Sequence, residues 1–338
     1  MRISLLDRSR TRAGEPPAAA LRATVERARR AESLGLHRFW VAEHHAVPGV
    51  ASSSPPVLMT AVAAATSRIR VGSGGIMLPH HRPVVVAGQA RMLAALHPGR
   101  IDLGLGRSLG FTQPVREALR VTSYGPEEFA CDLEDLWSFL HDAGPVTVQP
   151  TGVDPPEVFV LATGAGLDVA AELGLPVVVG GPLVHGDPTP LRRYRERFHA
   201  RHEPARPRVV ISLDVMVADT PEQARDLLLP EAWAMAESRA TGVFGPLRPD
   251  PPGRLTAKQQ DLVERQVALS VHGTLEQVRT RLEELVERTG AAEVLATTST
   301  YDRVALAEAD AALGELATGD GDGAGVGQPG LEPGTDGL

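Results

Sequence analysis

The chain has 338 residues and a formal net charge of −8 at neutral pH, from 34 basic and 42 acidic side chains. With 43% hydrophobic and 22% charged residues it has the composition of a folded globular protein, which excludes disorder over its whole length. The negative balance argues against non-specific nucleic-acid binding, and a single cysteine, Cys131, excludes both an intrachain disulfide framework and a cysteine-based zinc cluster.

The N-terminal apolar run, Ile3 to Leu6, is too short for a signal segment. The long uncharged stretch from Ala46 to Ser67 is broken by Pro48, Gly49, Pro55 and Pro56, so no membrane-spanning helix is expected. The expected location is the cytoplasm. Short β-type runs then alternate with helical ones. Ile3–Asp7 reads as a strand and Ala18–Leu34 as a helix stopped by Gly35. His37–Glu43 is a second strand, 56–66 a helix, Ile69–Met77 a third strand and Val84–Leu96 a helix. Arg100–Gly106 is the fourth strand, followed by helices over 113–120 and 126–142. The fifth strand is Val158–Thr163, with a helix over Leu167–Leu173, and the sixth is 176–180, with a helix over 191–202. The seventh strand is 209–218, followed by helices over Pro221–Thr241, 256–269 and 274–289. Glu293–Thr298 closes the series, with a helix over 304–316.

Eight strands, each followed by helix, is the count of a closed (β/α)8 TIM barrel, here with loop insertions at its C-terminal rim. A doubly wound open sheet is the rival; no G-x-G-x-x-G follows the first strand, which argues against it. The barrel is assigned to residues 1–316. Residues 317–338, rich in Gly, Asp and Pro, are expected to form a disordered tail. The Pro-rich segment 144–156 suggests a hairpin around Val146-Thr147-Val148, and 242–253 a loop over the barrel mouth.

Active sites of such barrels form at the C-terminal ends of the strands. There the sequence places Asp7, Glu43-His44-His45, Ser73-Gly74-Gly75, Gly106-Arg107-Ser108, Thr163-Gly164-Ala165-Gly166 and Gly180-Gly181. The turn Thr163 to Gly166, leading into a helix, together with Arg107, suits a phosphate; a plain glycine turn and a structural arginine are the alternative. Glu43 with His44 suits proton transfer, or is a satisfied rim pair. Ser73-Gly74-Gly75 suits close approach of a flat ligand, or is a simple bulge. His44, His45, His80 and His81 lack the spacing of a zinc site, so no metal is expected.

The segments Trp40-Val41-Ala42-Glu43-His44-His45, Val71-Gly72-Ser73-Gly74-Gly75-Ile76-Met77-Leu78-Pro79 and Pro98-Gly99-Arg100-Ile101-Asp102-Leu103-Gly104-Leu105-Gly106-Arg107 resemble the bacterial luciferase-like flavin monooxygenases, most closely a branch of antibiotic-biosynthesis tailoring enzymes. The resemblance covers residues 2–316. It implies FMN as cofactor, reduced by a separate flavin reductase, and dioxygen as co-substrate for oxygenation of a small organic molecule such as a polyketide intermediate. It also implies that Arg107 and the turn Thr163, Gly164, Ala165 and Gly166 hold the phosphate. Ser73, Gly74 and Gly75 then carry the ring, with a cis peptide at Gly74-Gly75, and Glu43 and His44 form the candidate catalytic pair. A homodimer is implied as well. The alternative on the same scaffold is a deazaflavin-dependent dehydrogenase or reductase; a non-catalytic flavin-binding relative and a metal-dependent hydrolase are the further competitors.

Overall fold

The computed structural model describes residues 1–110, 112–201 and 206–319. Its strands and helices are, in chain order, β1 (Ile3–Asp7), α1 (Ala18–Ser33), β2 (Arg38–Val41), α2 (Pro55–Ala65), β3 (Arg70–Ser73), β4 (Ile76–Met77), α3 (Pro83–Leu96), β5 (Ile101–Gly106), α4 (Gln113–Ala118), α5 (Pro126–Leu140), β6 (Glu157–Ala162), α6 (Gly166–Glu172), β7 (Val177–Gly180), α7 (Pro182–His185), α8 (Thr189–Glu196), β8 (Val209–Leu213), β9 (Val215–Val217), α9 (Pro221–Thr241), α10 (Ala257–Ala268), β10 (Val271–Gly273), α11 (Leu275–Thr289), β11 (Glu293–Ala296) and α12 (Arg303–Thr318).

The parallel pairings run β3-β2-β1-β11-β8-β7-β6-β5-β4, and a further pairing of β3 with β5 closes the ring. The result is the TIM barrel expected, with β3 and β4 forming one stave broken at the Gly74-Gly75 peptide. Successive side chains alternate between the barrel interior and the surrounding helices. Ile3, Leu5, Val71, Leu103, Val177 and Ile211 face outward into the large core beneath the helices. Leu6, Trp40, Phe159, Val178, Val210 and Leu295 face inward and fill the middle of the barrel, with Trp40 edge-on to Phe159 at 5.0 Å between centroids.

Several elements depart from the sequence reading. The seventh strand is interrupted at Asp214; β9 leaves the barrel and pairs with β10 in a separate two-stranded sheet. Neither β10 nor the short α7 was expected, each being too brief to show a period. The helix expected over 191–202 ends at Glu196. The hairpin expected at 146–148 does not form: the segment has no strand, Val148 is buried, and the Gln149-Pro150 peptide is cis. Its backbone is held by Arg91, whose guanidinium donates to the carbonyls of Val148 and Pro150 at 3.0 and 3.2 Å. The last helix runs on to Thr318, past the boundary set at 316; residues 320–338 and Phe111 lie outside the described residues.

Loop 242–253 does reach the mouth. Gly242, at φ 76°, ends α9. Leu247 exchanges backbone hydrogen bonds with Thr11 and Ala13 at 2.9 and 2.8 Å. Phe244 packs among Val47, Val50 and Ala234, with the Arg10 guanidinium 4.0 Å from its ring centroid. The first part of this loop is therefore pinned to the segment after β1. No helix among the described residues is long and apolar enough to cross a membrane.

Candidate active site

The staves end at one rim, and pleat parity decides what each adds to it. Beyond the inward Gly72, Gly104, Leu161 and Val178 come Gly74, Gly106, Thr163 and Gly180, a run of small residues on one half of the mouth. Beyond the inward Leu6, Ala42, Ser212 and Leu295 come Arg8, His44, Asp214 and Thr297 on the other half. Small and polar residues thus occupy opposite arcs.

On the small arc, the Gly74-Gly75 peptide is cis. Both glycines are half-exposed although they sit in the barrel wall. A Cβ on Gly75 would lie 2.7 Å from the Gly104 carbonyl oxygen, and one on Gly104 would lie 2.1 Å from that of Ser73, so close contact between the staves requires glycine. The Ser73 hydroxyl donates to the Gly104 carbonyl at 2.9 Å and accepts from its amide at 3.0 Å. Ser73 is fully buried, and its side chain braces β3 against β5.

Arg107 follows β5. It is half-exposed, and it makes neither a hydrogen bond nor an ion pair with any other described residue. Thr163, Gly164 and Ala165 are exposed, with Gly164 at φ +52° and open space where a Cβ would go. The amides of Gly166 and Leu167 donate to the carbonyls of Thr163 and Gly164, both at 3.1 Å. Those first helical amides, expected from the sequence to bind an anion, are spent inside the turn. The Thr163 hydroxyl and the Gly164 and Ala165 amides bond to nothing among the described residues.

Glu43 and His44 separate in role. Glu43 is buried and accepts three hydrogen bonds: from His45 Nε2 at 2.5 Å, from His81 Nε2 at 2.9 Å and from the Met77 amide at 2.8 Å. Burial pushes its carboxyl up, but the contacts with His81, Met77 and His45 outweigh burial and hold it below the usual range. It is a fastener for β4 and two rim histidines. His44 is half-buried, its amide bonded to the Ser52 carbonyl at 2.9 Å. Burial first, then the nearby Arg8 and Arg10 cations, lower its imidazole to about 4, against the weaker pull of Glu43 and Glu231. It is neutral at neutral pH and able to accept a proton.

Three residues escaped the sequence reading. Glu231, buried on α9, accepts from Arg10 Nε at 2.7 Å and pairs with Arg8 at 3.0 Å. Arg10 also donates to the carbonyls of Gly49 and Gly245, so it ties together the two loops beside His44. The run Asp7-Arg8-Ser9-Arg10 directly after a strand was the available signal for the two arginines; Glu231 had none, because its partners lie 221 residues or more away. Asp7 itself faces outward to α1, accepting from Thr24 and Arg27 at 2.8 and 2.9 Å. A cavity of about 690 Å³ opens at the other, N-terminal end of the barrel; Arg70, Trp137, Glu157 and Arg208 line it, and none of the rim residues Arg8, His44, Arg107 and Glu231 does.

Residues 1–293 match the family model described as luciferase-like monooxygenase. A luciferase-like monooxygenase of Escherichia coli is 32% identical over 315 residues, 90% of this chain and 93% of that protein. A 4-hydroxyprotoasukamycin monooxygenase of Streptomyces nodosus subsp. asukaensis is 39% identical over 93 residues, 28% of this chain and 25% of that protein. The crystal structure of apo-MsnO8 superposes with a TM-score of 0.83 at 30% identity, covering 93% of this chain and 98% of that one. The oxygenating constituent of 3,6-diketocamphane monooxygenase from Pseudomonas putida, in complex with FMN, shares the fold at 18% identity and a TM-score of 0.69, covering 94% and 97%. With the family model, the near full-length relative and the barrel in agreement, the chain belongs to the luciferase-like monooxygenases, a family of flavin-type oxidoreductases.

Proposed function

We propose that this protein is the oxygenating component of a two-component system that uses reduced FMN, delivered by a separate flavin reductase, and dioxygen to oxygenate a small secondary-metabolite intermediate. The observation that carries the reading is the half-buried Arg107, without a hydrogen-bond or ion-pair partner among the described residues, beside the exposed turn Thr163–Ala165 on the arc of small residues. A planar guanidinium that no described carboxylate engages is suited to a dianionic phosphate, and the Thr163 hydroxyl and the Gly164 and Ala165 amides add donors. Gly74, Gly106 and Gly180 leave room along the same arc for a flat ring.

Reduced FMN, when bound, supplies the electrons that activate dioxygen for transfer of one oxygen atom. The chain's part is to hold, shield and move protons. Arg107 fixes the anionic tail. Glu43 fixes Met77, three residues after Gly74, and so the wall that carries the glycines. His44, neutral and next to the polar arc, takes or returns a proton at an imidazole nitrogen. The FMN complex of the diketocamphane enzyme supports the choice of cofactor, and the relative named 4-hydroxyprotoasukamycin monooxygenase supports a small organic substrate.

A homodimer fits the same chain. α2 and α3 expose large apolar side chains, with Val57 72%, Val85 50%, Met92 58% and Leu96 65% exposed, the kind of surface that association buries. The test is titration of the protein with FMN and with a deazaflavin, followed by oxygen uptake and product analysis with reduced FMN and aromatic polyketides. Binding of FMN with oxygen incorporated into product is expected. Binding of the deazaflavin alone would replace the reading with hydride transfer.

A further inference from the structure

The polar arc of the mouth has more donors than acceptors. Neighbouring staves β2, β1, β11 and β8 put His44, Arg8, Thr297 and Asp214 side by side. The Arg8 guanidinium pairs with Glu231 at 3.0 Å, reaches the Thr297 carbonyl at a long 3.3 Å, and is 3.8 Å from Asp214. Its Nε–H is buried and meets no acceptor among the described residues. A guanidinium offers five N–H donors, and here most of them lack a good partner. Its neighbour Arg10 has every edge engaged, by Glu231, Gly49 and Gly245. The difference is position: Arg10 anchors loops, whereas Arg8 keeps 19% of its side chain exposed at the mouth.

We propose that this arc is the substrate subsite and that it takes an acidic hydroxyl, a phenol or enol, whose oxygen Arg8 holds while His44 receives its proton. The inference rests on reading the mouth as the oxygenation site. An apolar substrate over Arg8 would bury its free donors without acceptors, which is costly. A simple carboxylate would satisfy Arg8 but would give the neutral His44 no proton to take. The transfer balances: the O–H bond breaks, an N–H bond forms on the imidazole, and the electron pair stays on the substrate oxygen. Glu231, already close to His44, faces the imidazolium so formed. The charges around the pair are Arg8 and Arg10 after β1, Glu43 on the β2 loop, Asp214 after β8 and Glu231 on α9. Repulsion from Arg8 weakens His44 as a base in the free protein. An arriving oxygen anion offsets that repulsion, so the base gains strength only with substrate in place.

The probe is 4-nitrophenol, whose anion absorbs visible light, titrated with pH on the full-length chain without added flavin. The expected result is saturable binding with the apparent pKa of the bound phenol lowered by about one unit, a tenfold preference for the anion. Arg8→Gln abolishes the shift. Arg8→Lys, which keeps the charge but not the fork, retains part of it and serves if Arg8→Gln fails to fold. Arg107→Ala keeps the shift while losing FMN affinity, so failure here is separable from failure of the flavin reading. No saturable binding, an unshifted pKa, a shift that survives Arg8→Gln, or 4-nitrobenzoate binding with the same Arg8 dependence while the phenol does not shift, would each overturn the proposal.

Discussion

The two ends of this barrel use the same residue types to opposite purpose. At the N-terminal floor, Arg38, Arg70 and Arg208 meet Asp102, Glu157 and Glu293, three cations against three anions. Arg38 donates to Asp102 at 2.6 Å and to Glu293 at 3.1 Å. Arg70 also donates to Asp102 at 3.0 Å, and Trp40 Nε1 does so at 3.1 Å. Arg208 donates to Glu157, although its Nε meets no acceptor among the described residues, and Ser4 donates to Glu293 at 2.5 Å. At the C-terminal mouth, by contrast, Arg107 has no partner among the described residues and Arg8 is only partly satisfied. Buried polar groups that satisfy one another specify a fold; those left short of partners are available to a ligand. The contrast predicts that floor substitutions act on stability and mouth substitutions on binding.

The largest effect is expected at the floor. Asp102 is fully buried, and Asp102→Ala strands Arg38 and Arg70, a loss of about 3–5 kcal/mol. Calorimetry is expected to show a Tm about 4–7 °C lower, with flavin affinity of the folded protein unchanged. A small loss would mean that the network is no more than a set of surface pairs. Next comes Arg107→Ala. Removing a charge-assisted bidentate contact is expected to weaken FMN about 10- to 100-fold. The side chain makes no hydrogen bond or ion pair with another described residue, so the urea midpoint is expected to stay put. Loss of stability with unchanged FMN binding would reverse the assignment of this arginine.

A pH experiment sharpens the contrast at His44. The folded protein holds this imidazole at about 4, burial being the first cause and Arg8 and Arg10 the next. In the unfolded chain it titrates near about 6.5. The unfolded state therefore binds more protons as pH falls, and the stability that the neutral imidazole contributes above 6.5 is lost progressively down to 4. Between pH 7 and 5 the share of His44 is about 1–2 kcal/mol. His37 and His80 are displaced in the same direction, so the measurement is the slope of unfolding free energy against pH in the parent and in His44→Gln. The variant is expected to show the shallower slope. Equal slopes would mean that the His44 imidazole titrates alike in the folded and unfolded protein, so that neither burial nor Arg8 and Arg10 displaces it.

Much of the barrel was legible because its signals are local. Val209 to Leu213 and Glu293 to Ala296 are β-branched or apolar runs between helices with clear ends, such as α11, which starts at the Thr274–Gln277 capping box and stops at Gly290 with φ 60°. The break at Asp214 was not legible, because it depends on a bond from Thr297, 83 residues away, that accompanies the turn of the chain out of the barrel. Rim positions could be read from strand ends alone, which is why Arg107 and the turn at Thr163 were found. Their states could not. That Glu43 is spent on Met77, His45 and His81, or that Gly166 and Leu167 donate within their own turn, follows from distances that no residue order contains.

Ser73 gives the smallest and most discriminating test. The family resemblance groups it with Gly74 and Gly75 as ring-bearing, yet its hydroxyl closes a reciprocal pair of hydrogen bonds with Gly104 and is fully buried. If it is a strut, Ser73→Ala leaves the Gly104 amide and carbonyl short of a partner and costs about 1 kcal/mol, a Tm lower by about 1–2 °C. FMN affinity then stays with the parent, because no atom facing the mouth is altered. If it instead bears on the ring, affinity falls and stability hardly moves. The position belongs to the mouth by sequence and to the wall by bonding, and one titration beside one melting curve decides which of the two governs it.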